Sequence, residues 1–207
     1  MLPNLLPPLT AEAFQTVTGV SRETMARLDT YLTHLIKWQP RINLVSNATL
    51  RDPWRRHFLD SAQLFRYLPG ATQTIADLGS GAGFPGLVLA ILGVPQVHLV
   101  ESDQRKVAFL RTVAAATEVK PTLHPARIEA IVDIQADVVT ARALAPLAPL
   151  IEYALPLLGP RGVCLFLKGG KVEGELACCR RAMTVERFES IADPSGAILR
   201  LSAISPT

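Results

Sequence analysis

The sequence predicts an α/β fold, a mostly parallel sheet covered on both faces and preceded by a helical region. Three observations predict it. From Ile75 onward, short runs rich in β-branched residues alternate with helical segments, the order that gives parallel strands joined by right-handed crossovers. Before about Leu68 the apolar residues recur at the three-and-four spacing of helices. Pro69-Gly70 punctuates the change. The division is therefore an N-terminal helical extension at 1–68 and a main domain at 69–207. At 207 residues, 49% apolar and 19% charged, the chain can bury a full core, which excludes global disorder.

Element by element, Thr10 caps a short helix and Ser21 a longer one, with Met25, Leu28, Leu32, Leu35 and Ile36 as its apolar stripe. Pro40 ends that helix. Pro53 stands where a first-turn proline is tolerated, and Trp54, Phe58, Ala62 and Phe65 form a third stripe. Strand Thr74–Leu78 runs into a glycine-rich turn and a helix over Pro85–Leu92. Strand Gln96–Glu101 precedes a helix over Gln104–Thr117, and strand Asp137–Thr140 one near Pro146–Leu157. Strand Gly162–Lys168 is followed by a helix near Val172–Met183, then by a closing hairpin of Val185–Ile191 and Ala197–Ala203 around Asp193-Pro194-Ser195-Gly196.

The formal charge of +3 and pI near 8.9 suit a polyanionic partner without requiring one. Cys164, Cys178 and Cys179 offer neither a disulfide framework nor a Cys-x-x-Cys, so a reducing compartment is expected. The opening MLPNLLPPL lacks a basic leader region and is broken by prolines, and the longest uncharged apolar stretch, Gly81–Pro95, is too short to span a bilayer. A cytoplasmic location without membrane attachment is the expectation. His34, His57, His98 and His124 are scattered and suggest no metal site and no triad.

The most informative stretch is Asp77-Leu78-Gly79-Ser80-Gly81-Ala82-Gly83-Phe84-Pro85-Gly86. It leaves a strand and opens a helix. Glycines let the backbone turn sharply and approach a ligand, and a helix start offers free N–H groups to a carboxylate or phosphate. Glu101 ends the next strand, where a carboxylate can accept from both hydroxyls of a ribose. Together they describe a nucleoside-cofactor site; a tight turn beside a surface acid is the simpler alternative. The dinucleotide fingerprint fails at Phe84, the phosphate loop lacks its lysine at Leu87, and the nucleophile elbow lacks its first glycine at Leu78. The spacing Gly79-x-Gly81-x-Gly83 after Asp77 resembles instead the first motif of S-adenosylmethionine-dependent methyltransferases.

Five motifs then occur in order: Arg56-His57-Phe58-Leu59-Asp60-Ser61, Asp77 through Gly86, Lys106-Val107-Ala108-Phe109-Leu110-Arg111, Thr140-Ala141-Arg142-Ala143 and Leu167-Lys168-Gly169-Gly170. In this order they resemble the bacterial RsmG family, also called GidB, over residues 31–170. The resemblance implies a Rossmann-like class I methyltransferase fold with a mostly parallel seven-stranded sheet, the last hairpin strand antiparallel. It implies methylation of guanine N7 in the 530 loop of 16S ribosomal RNA, with S-adenosylmethionine as cofactor and the small ribosomal subunit or its precursor as partner. It also implies that Gly79 and Phe84 contact the cofactor, that Ile128 and Glu129 flank its adenine, and that Arg142 lies at the cofactor and substrate side. The chain departs from the family in carrying Val45 where Thr is usual and Glu101 where Asp is frequent.

Guanine N7 offers an in-plane lone pair and no proton, so the reaction needs positioning rather than a general base. No catalytic dyad is expected; Arg142 and Lys168 are the candidates nearest the chemistry, and a carboxylate or carbonyl near the cationic product would help. For the RNA, Lys37 to Arg66 holds six basic residues and two acids, with Trp38 and Trp54 interleaved as possible stacking platforms. A solvated helix face with core tryptophans explains the same pattern. Arg55, Arg56, Arg105, Lys106, Arg111 and Lys168 are the candidate RNA contacts. His57 and Asp60, three apart, read more simply as a structural link to the main domain than as catalysts. A monomer is expected. A methyltransferase with another acceptor, and an RNA-binding module without turnover, are the rival readings.

Overall fold

The structure is a computed structural model in which residues 7–205 are described, so most of the apolar opening segment lies outside the described residues. Helices α1 (Ala11–Thr18) and α2 (Arg22–Trp38) start at the expected caps: Thr10 Oγ1 accepts from the Ala13 amide at 3.1 Å and Ser21 Oγ from that of Thr24 at 3.2 Å. The buried stripe of α2 is Met25, Leu28, Tyr31 and Leu35. Tyr31 takes the place expected for Leu32 and Ile36, and Ile36 is 57% exposed. The Tyr31 ring stacks on Phe84, which fixes how α2 is rotated against the main domain.

The third helical region is irregular. It passes from a π-helical stretch, Trp54–Leu59, through one α turn, α3 (Asp60–Ala62), to a 3₁₀ stretch, Gln63–Tyr67. Trp54, Phe58 and Ala62 face inward as predicted. The change from wide to tight turns then shifts the stripe, so that Leu64 is buried and Phe65 is 47% exposed.

Among the described residues seven strands form one sheet: β1 (Thr74–Leu78), β2 (Gln96–Val100), β3 (Thr122–His124), β4 (Ala136–Arg142), β5 (Leu158–Lys168), β6 (Thr184–Glu189) and β7 (Ala197–Ser202), in the order β3-β2-β1-β4-β5-β7-β6. The first five are parallel. β7 lies between β5 and β6 and is antiparallel to both. The six predicted strands are present. β3 is the seventh strand that the resemblance implied and the residue pattern did not place, because three residues are too few to show alternation; it is identified by its pairing with His98–Val100. Helices α4 (Gly86–Ile91), α5 (Gln104–Ala116) and α6 (Leu147–Ala154) follow β1, β2 and β4. α7 (Val172–Cys178) is shorter than expected, ending before Arg180–Met183 lead into β6.

Alternation along the strands divides the core between the faces. Ile75, Val97, Leu99, Val138 and Leu165 face α4 and α5; Ala76, Val100, Val139 and Phe166 face α6 and α7. The helical extension shares the first of these cores, where Phe14, Leu28, Tyr31, Leu35 and Phe58 pack with Phe84, Val88 and Phe109. Among the described residues no helix is long and apolar enough to cross a membrane.

Candidate active site

β1 and β4 are central neighbours whose chains leave toward opposite halves of the sheet, so a crevice opens at their carboxyl ends. The turn after β1 occupies it. Gly79, Gly81 and Gly83 have φ of 61°, 57° and 94°, in the left-handed region that favours glycine. The Ser80 amide donates to the Val100 carbonyl at 2.9 Å, tying the turn to β2. A Cβ on Gly81 would meet only the Gly79 carbonyl oxygen, at 3.7 Å, so this glycine presents open backbone to the crevice.

Gly83 and Asp77 behave otherwise. A Cβ on Gly83 would lie 2.6 Å from Tyr31 Oη and 2.9 Å from Leu87 Cβ, so this glycine makes room for packing. Asp77 is wholly buried beneath the turn, where Oδ1 accepts from Thr140 Oγ1 at 2.9 Å and Oδ2 from the Gly86 amide at 3.2 Å. Burial pushes its carboxyl up to about 6, against hydrogen bonds from Ser80, Thr140 and Gly86. Both were expected at the cofactor, yet neither lines either of the two cavities beside this turn. They build the turn: Asp77 joins β1, β4 and the start of α4.

Glu101 leaves β2 with its carboxylate already oriented: Oε2 accepts from the Gly81 amide at 2.9 Å and Oε1 from the Asp103 amide at 2.7 Å. With Gly79, Gly81, Ile128, Glu129 and Arg142 it lines a cavity of about 410 Å³. Six of the predicted cofactor residues, distant in sequence, therefore meet. A larger cavity of about 730 Å³ adjoins across the turn and includes Phe84, Arg56, Lys106, Lys168 and Asp193 in its lining. Leu144 and Lys106 border both.

The wall between sheet and extension is an aromatic stack. Phe84 lies against Tyr31 (centroids 5.0 Å, planes 7° apart) and against His57 (4.9 Å, 25°), with the Arg142 guanidinium 5.1 Å from its centre. The buried Tyr31 hydroxyl donates to the Ala82 carbonyl. Arg142, at the end of β4, donates to the Arg56 carbonyl (3.0 Å), Asp60 Oδ2 (3.3 Å) and His57 Nδ1 (3.2 Å). Nδ1 thus accepts, and Nε2 is left to donate to Thr49 Oγ1 at 2.9 Å. Burial, then the Arg142 and Arg56 charges, push the His57 pKa down to about 3. Burial raises that of Asp60 despite Arg142. His57 and Asp60 link the extension to the main domain through Arg142.

The candidate RNA contacts separate. Arg56 and Lys106 line the larger cavity. Lys168 lines it too, but its ammonium is directed inward, 2.6 Å from Glu175 Oε2 and 2.9 Å from the Ala145 carbonyl oxygen, bracing the loop after β4 against α7. Arg55 pairs with Asp52, Arg105 pairs with Asp103 in solvent, and Arg111 is exposed on α5; none of these three lines either cavity. The tryptophans pack on the extension's core: Trp54 is buried against Phe14 and Phe58, and Trp38 is half-buried, edge-on against Phe109. His98 and His124 meet at 2.9 Å between β2 and β3. Among the described residues no three His, Cys, Asp or Glu side chains are grouped as a metal ion would require.

A scan against family models matches residues 24–197 to rRNA small subunit methyltransferase G. The chain belongs to that family. Similar proteins with the same description include one from Rhodospirillum centenum, 56% identical over 97% of this chain and 94% of the relative, and one from Rhodospirillum rubrum, 58% identical over 95% and 98%. Among solved structures, ribosomal protein L11 methylase from Lactobacillus delbrueckii subsp. bulgaricus superimposes with a TM-score of 0.57 at 22% identity, over 70% of this chain and 76% of that one. The tRNA (uracil-54, C5)-methyltransferase of Pyrococcus abyssi, solved with S-adenosyl-L-homocysteine, gives 0.50 at 15% identity, over 69% and 38%. The fold is that of the class I S-adenosylmethionine-dependent methyltransferases.

Sequence reasoning about this methyltransferase missed three residues. Tyr31 was hidden in a helix stripe, and its signal was a lone aromatic one position from Leu32. Leu144 borders both cavities from a loop where Ala143 has φ of 51°. Asp193 was read only as a hairpin-turn residue.

Proposed function

We propose that this methyltransferase transfers a methyl group from S-adenosylmethionine to N7 of a guanosine in the 530 loop of 16S ribosomal RNA, in the small subunit or its precursor. One observation carries the choice of acceptor atom. His57, Asp60, Glu175 and Asp193, the imidazole and carboxylates lining the larger cavity, are each paired with a cation. His57, pushed down to about 3, and Asp193, held below the usual carboxylate range, are poor proton acceptors, and Asp60 is engaged by Arg142 and Gln63; this suits an acceptor nitrogen that has no proton to lose.

The residues of the smaller cavity fit the cofactor. The open backbone of Gly81 suits its amino-acid end, and at Gly79, where a Cβ would stand 2.6 Å from Leu144 Cδ1, the missing side chain lets Leu144 close over the turn. The free lone pairs of the preoriented Glu101 carboxylate suit two ribose hydroxyls, and Ile128 and Glu129, in the same lining, would flank the adenine. When bound, S-adenosylmethionine would supply a methyl group on a sulfonium: a lone pair in line with the C–S bond takes the methyl, and the sulfur leaves with the bonding pair as a neutral thioether, without proton transfer. The chain's own contribution is alignment: well-oriented reactants gain about 7–11 kcal/mol. Arg56 and Lys106 at the cavity, with exposed Lys37, Arg41, Arg51 and Arg66 on the extension, face the polyanion. This protein acts in the cytoplasm as a monomer.

The test is incubation with labelled cofactor and small subunits lacking the modification, followed by mapping of the methylated base. Label at N7 of one guanosine in the 530 loop is expected. Label on another atom, or on protein or a small molecule, refutes the reading.

A further inference from the structure

The larger cavity extends beyond the glycine turn to the loop joining β6 and β7, where Asp193 faces Arg56. Arg56 Nη1 donates to Asp193 Oδ2 at 2.8 Å, and these side chains remain 40% and 27% exposed. The loop is held firmly. Asp193 Oδ1 accepts from the Ser195 amide (2.9 Å) and hydroxyl (2.8 Å), and Gln63 of the extension bonds both Ser190 Oγ (3.0 Å) and the Ile191 amide (2.9 Å). Among the described residues the Arg56 side chain makes no other hydrogen bond, so its remaining N–H groups are available, as is one lone pair on Oδ2.

The other carboxylates of this cavity are more fully engaged. Asp60 accepts from Arg142 and from Gln63, and Glu175 Oε2 holds both Lys168 Nζ and the Leu147 amide. Asp193 is the most exposed of the three. Burial opposes its ionisation, but hydrogen bonds from Ser195 and Arg56 prevail and hold its carboxyl below the usual carboxylate range.

We propose that Arg56 and Asp193 read the target base, Arg56 donating to guanine O6 while the Asp193 carboxylate accepts from guanine N1–H. This rests on the guanine-N7 reading above and deepens it. The pair sets a donor beside an acceptor, and guanine presents the complement along one edge. Adenine presents the reverse, a donor at N6 and a bare lone pair at N1, and so faces like with like. The same contact favours the chemistry. Forming the N7–methyl bond leaves the positive charge on the purine and makes N1–H more acidic. Its hydrogen bond to a carboxylate therefore strengthens on the way to the transition state, and an interaction stronger there than in the ground state raises kcat.

The experiment uses small subunits reconstituted with 16S ribosomal RNA carrying either guanosine or 2-aminopurine at the target. The latter keeps N7 but lacks O6 and N1–H. Mapping on the wild-type enzyme comes first, and a methyl on any atom but N7 overturns the proposed function and this inference with it. With N7 confirmed, the wild type is expected to favour guanosine at least 100-fold, and Asp193→Asn to lose tenfold or more of that preference through kcat. Cofactor affinity by calorimetry should stay unchanged. Arg56→Lys, which keeps the ion pair, should lose part of the preference. A wild type indifferent to the two bases, or variants that slow both equally, shows that the pair only ties the loop to the extension and overturns the inference while leaving N7 methylation standing.

Discussion

Gly83→Ala tests the seam between extension and glycine turn. The new Cβ would stand 2.6 Å from Tyr31 Oη, 2.9 Å from Leu87 Cβ and 3.0 Å from Leu110 Cδ2, on a backbone with φ of 94°. Left-handed backbone costs an alanine about 1–2 kcal/mol, and overpacking adds about 1–3. The expected loss of about 2–5 kcal/mol is a large part of a domain's usual 5–15. Tyr31→Phe alone should cost about 1–3 kcal/mol, because the buried Ala82 carbonyl loses its donor. The double variant removes the closest clash. Its loss should therefore fall short of the sum of the two by at least about 0.5 kcal/mol. Urea unfolding of the four proteins measures the cycle. Additivity within about 0.3 kcal/mol, or a Gly83→Ala protein as stable as wild type, would refute the packing account.

The other predictions concern charge. Glu101→Ala should weaken cofactor binding by about 1–3 kcal/mol in calorimetry, since the proposed ribose acceptor and the anchor of the Gly81 amide both vanish; unchanged affinity contradicts that role. Burial pushes the Asp77 carboxyl up to about 6, above its ordinary value of 3.8, so its favourable contribution is complete below pH 3.8 and is lost as pH rises through 6. Asp77→Asn, which can still accept from the Gly86 amide, should flatten that part of the stability profile, and an unaltered profile counts against the assignment. His57, depressed to about 3, has the opposite sign: its contribution is present above pH 6.5 and declines as pH falls toward 3. Nitrogen chemical shifts at pH 5 should show a neutral ring protonated at Nε2, and a titration near 6.5 would show that Arg142 does not hold it. Arg142→Lys should cost about 1.5–3 kcal/mol of stability, because one ammonium cannot reach the Arg56 carbonyl, Asp60 and His57 together; a thermal melt equal to wild type would argue against this junction.

The sheet was legible in the sequence because buried parallel strands repeat a simple alternation with helices, and the crevice of the candidate site because the turn after β1 and the acid after β2 follow from strand ends. What failed to show had specific causes. The π-helical and 3₁₀ turns around Asp60 change the angle per residue, so a constant period misplaced Phe65. Asp77 and Gly83 belong to the glycine motif, but spacing does not say which of its members face the ligand and which brace the turn. Basic residues counted as a run were read together, whereas Asp52, Asp103 and Asp193 each engage one of them. Asp193 meets Arg56 across 137 positions, a distance no local pattern records.

The stack of Tyr31 on Phe84 and near Phe109 also bears on how the protein is made. The amphipathic helix around Tyr31 leaves the ribosome well before Phe109, and at elongation speeds of about 5–20 residues per second the delay is about 4–16 s. During that interval Leu28, Tyr31 and Leu35 have no sheet to cover them. A nascent chain stalled there should be a client for chaperones, released once α5 has emerged.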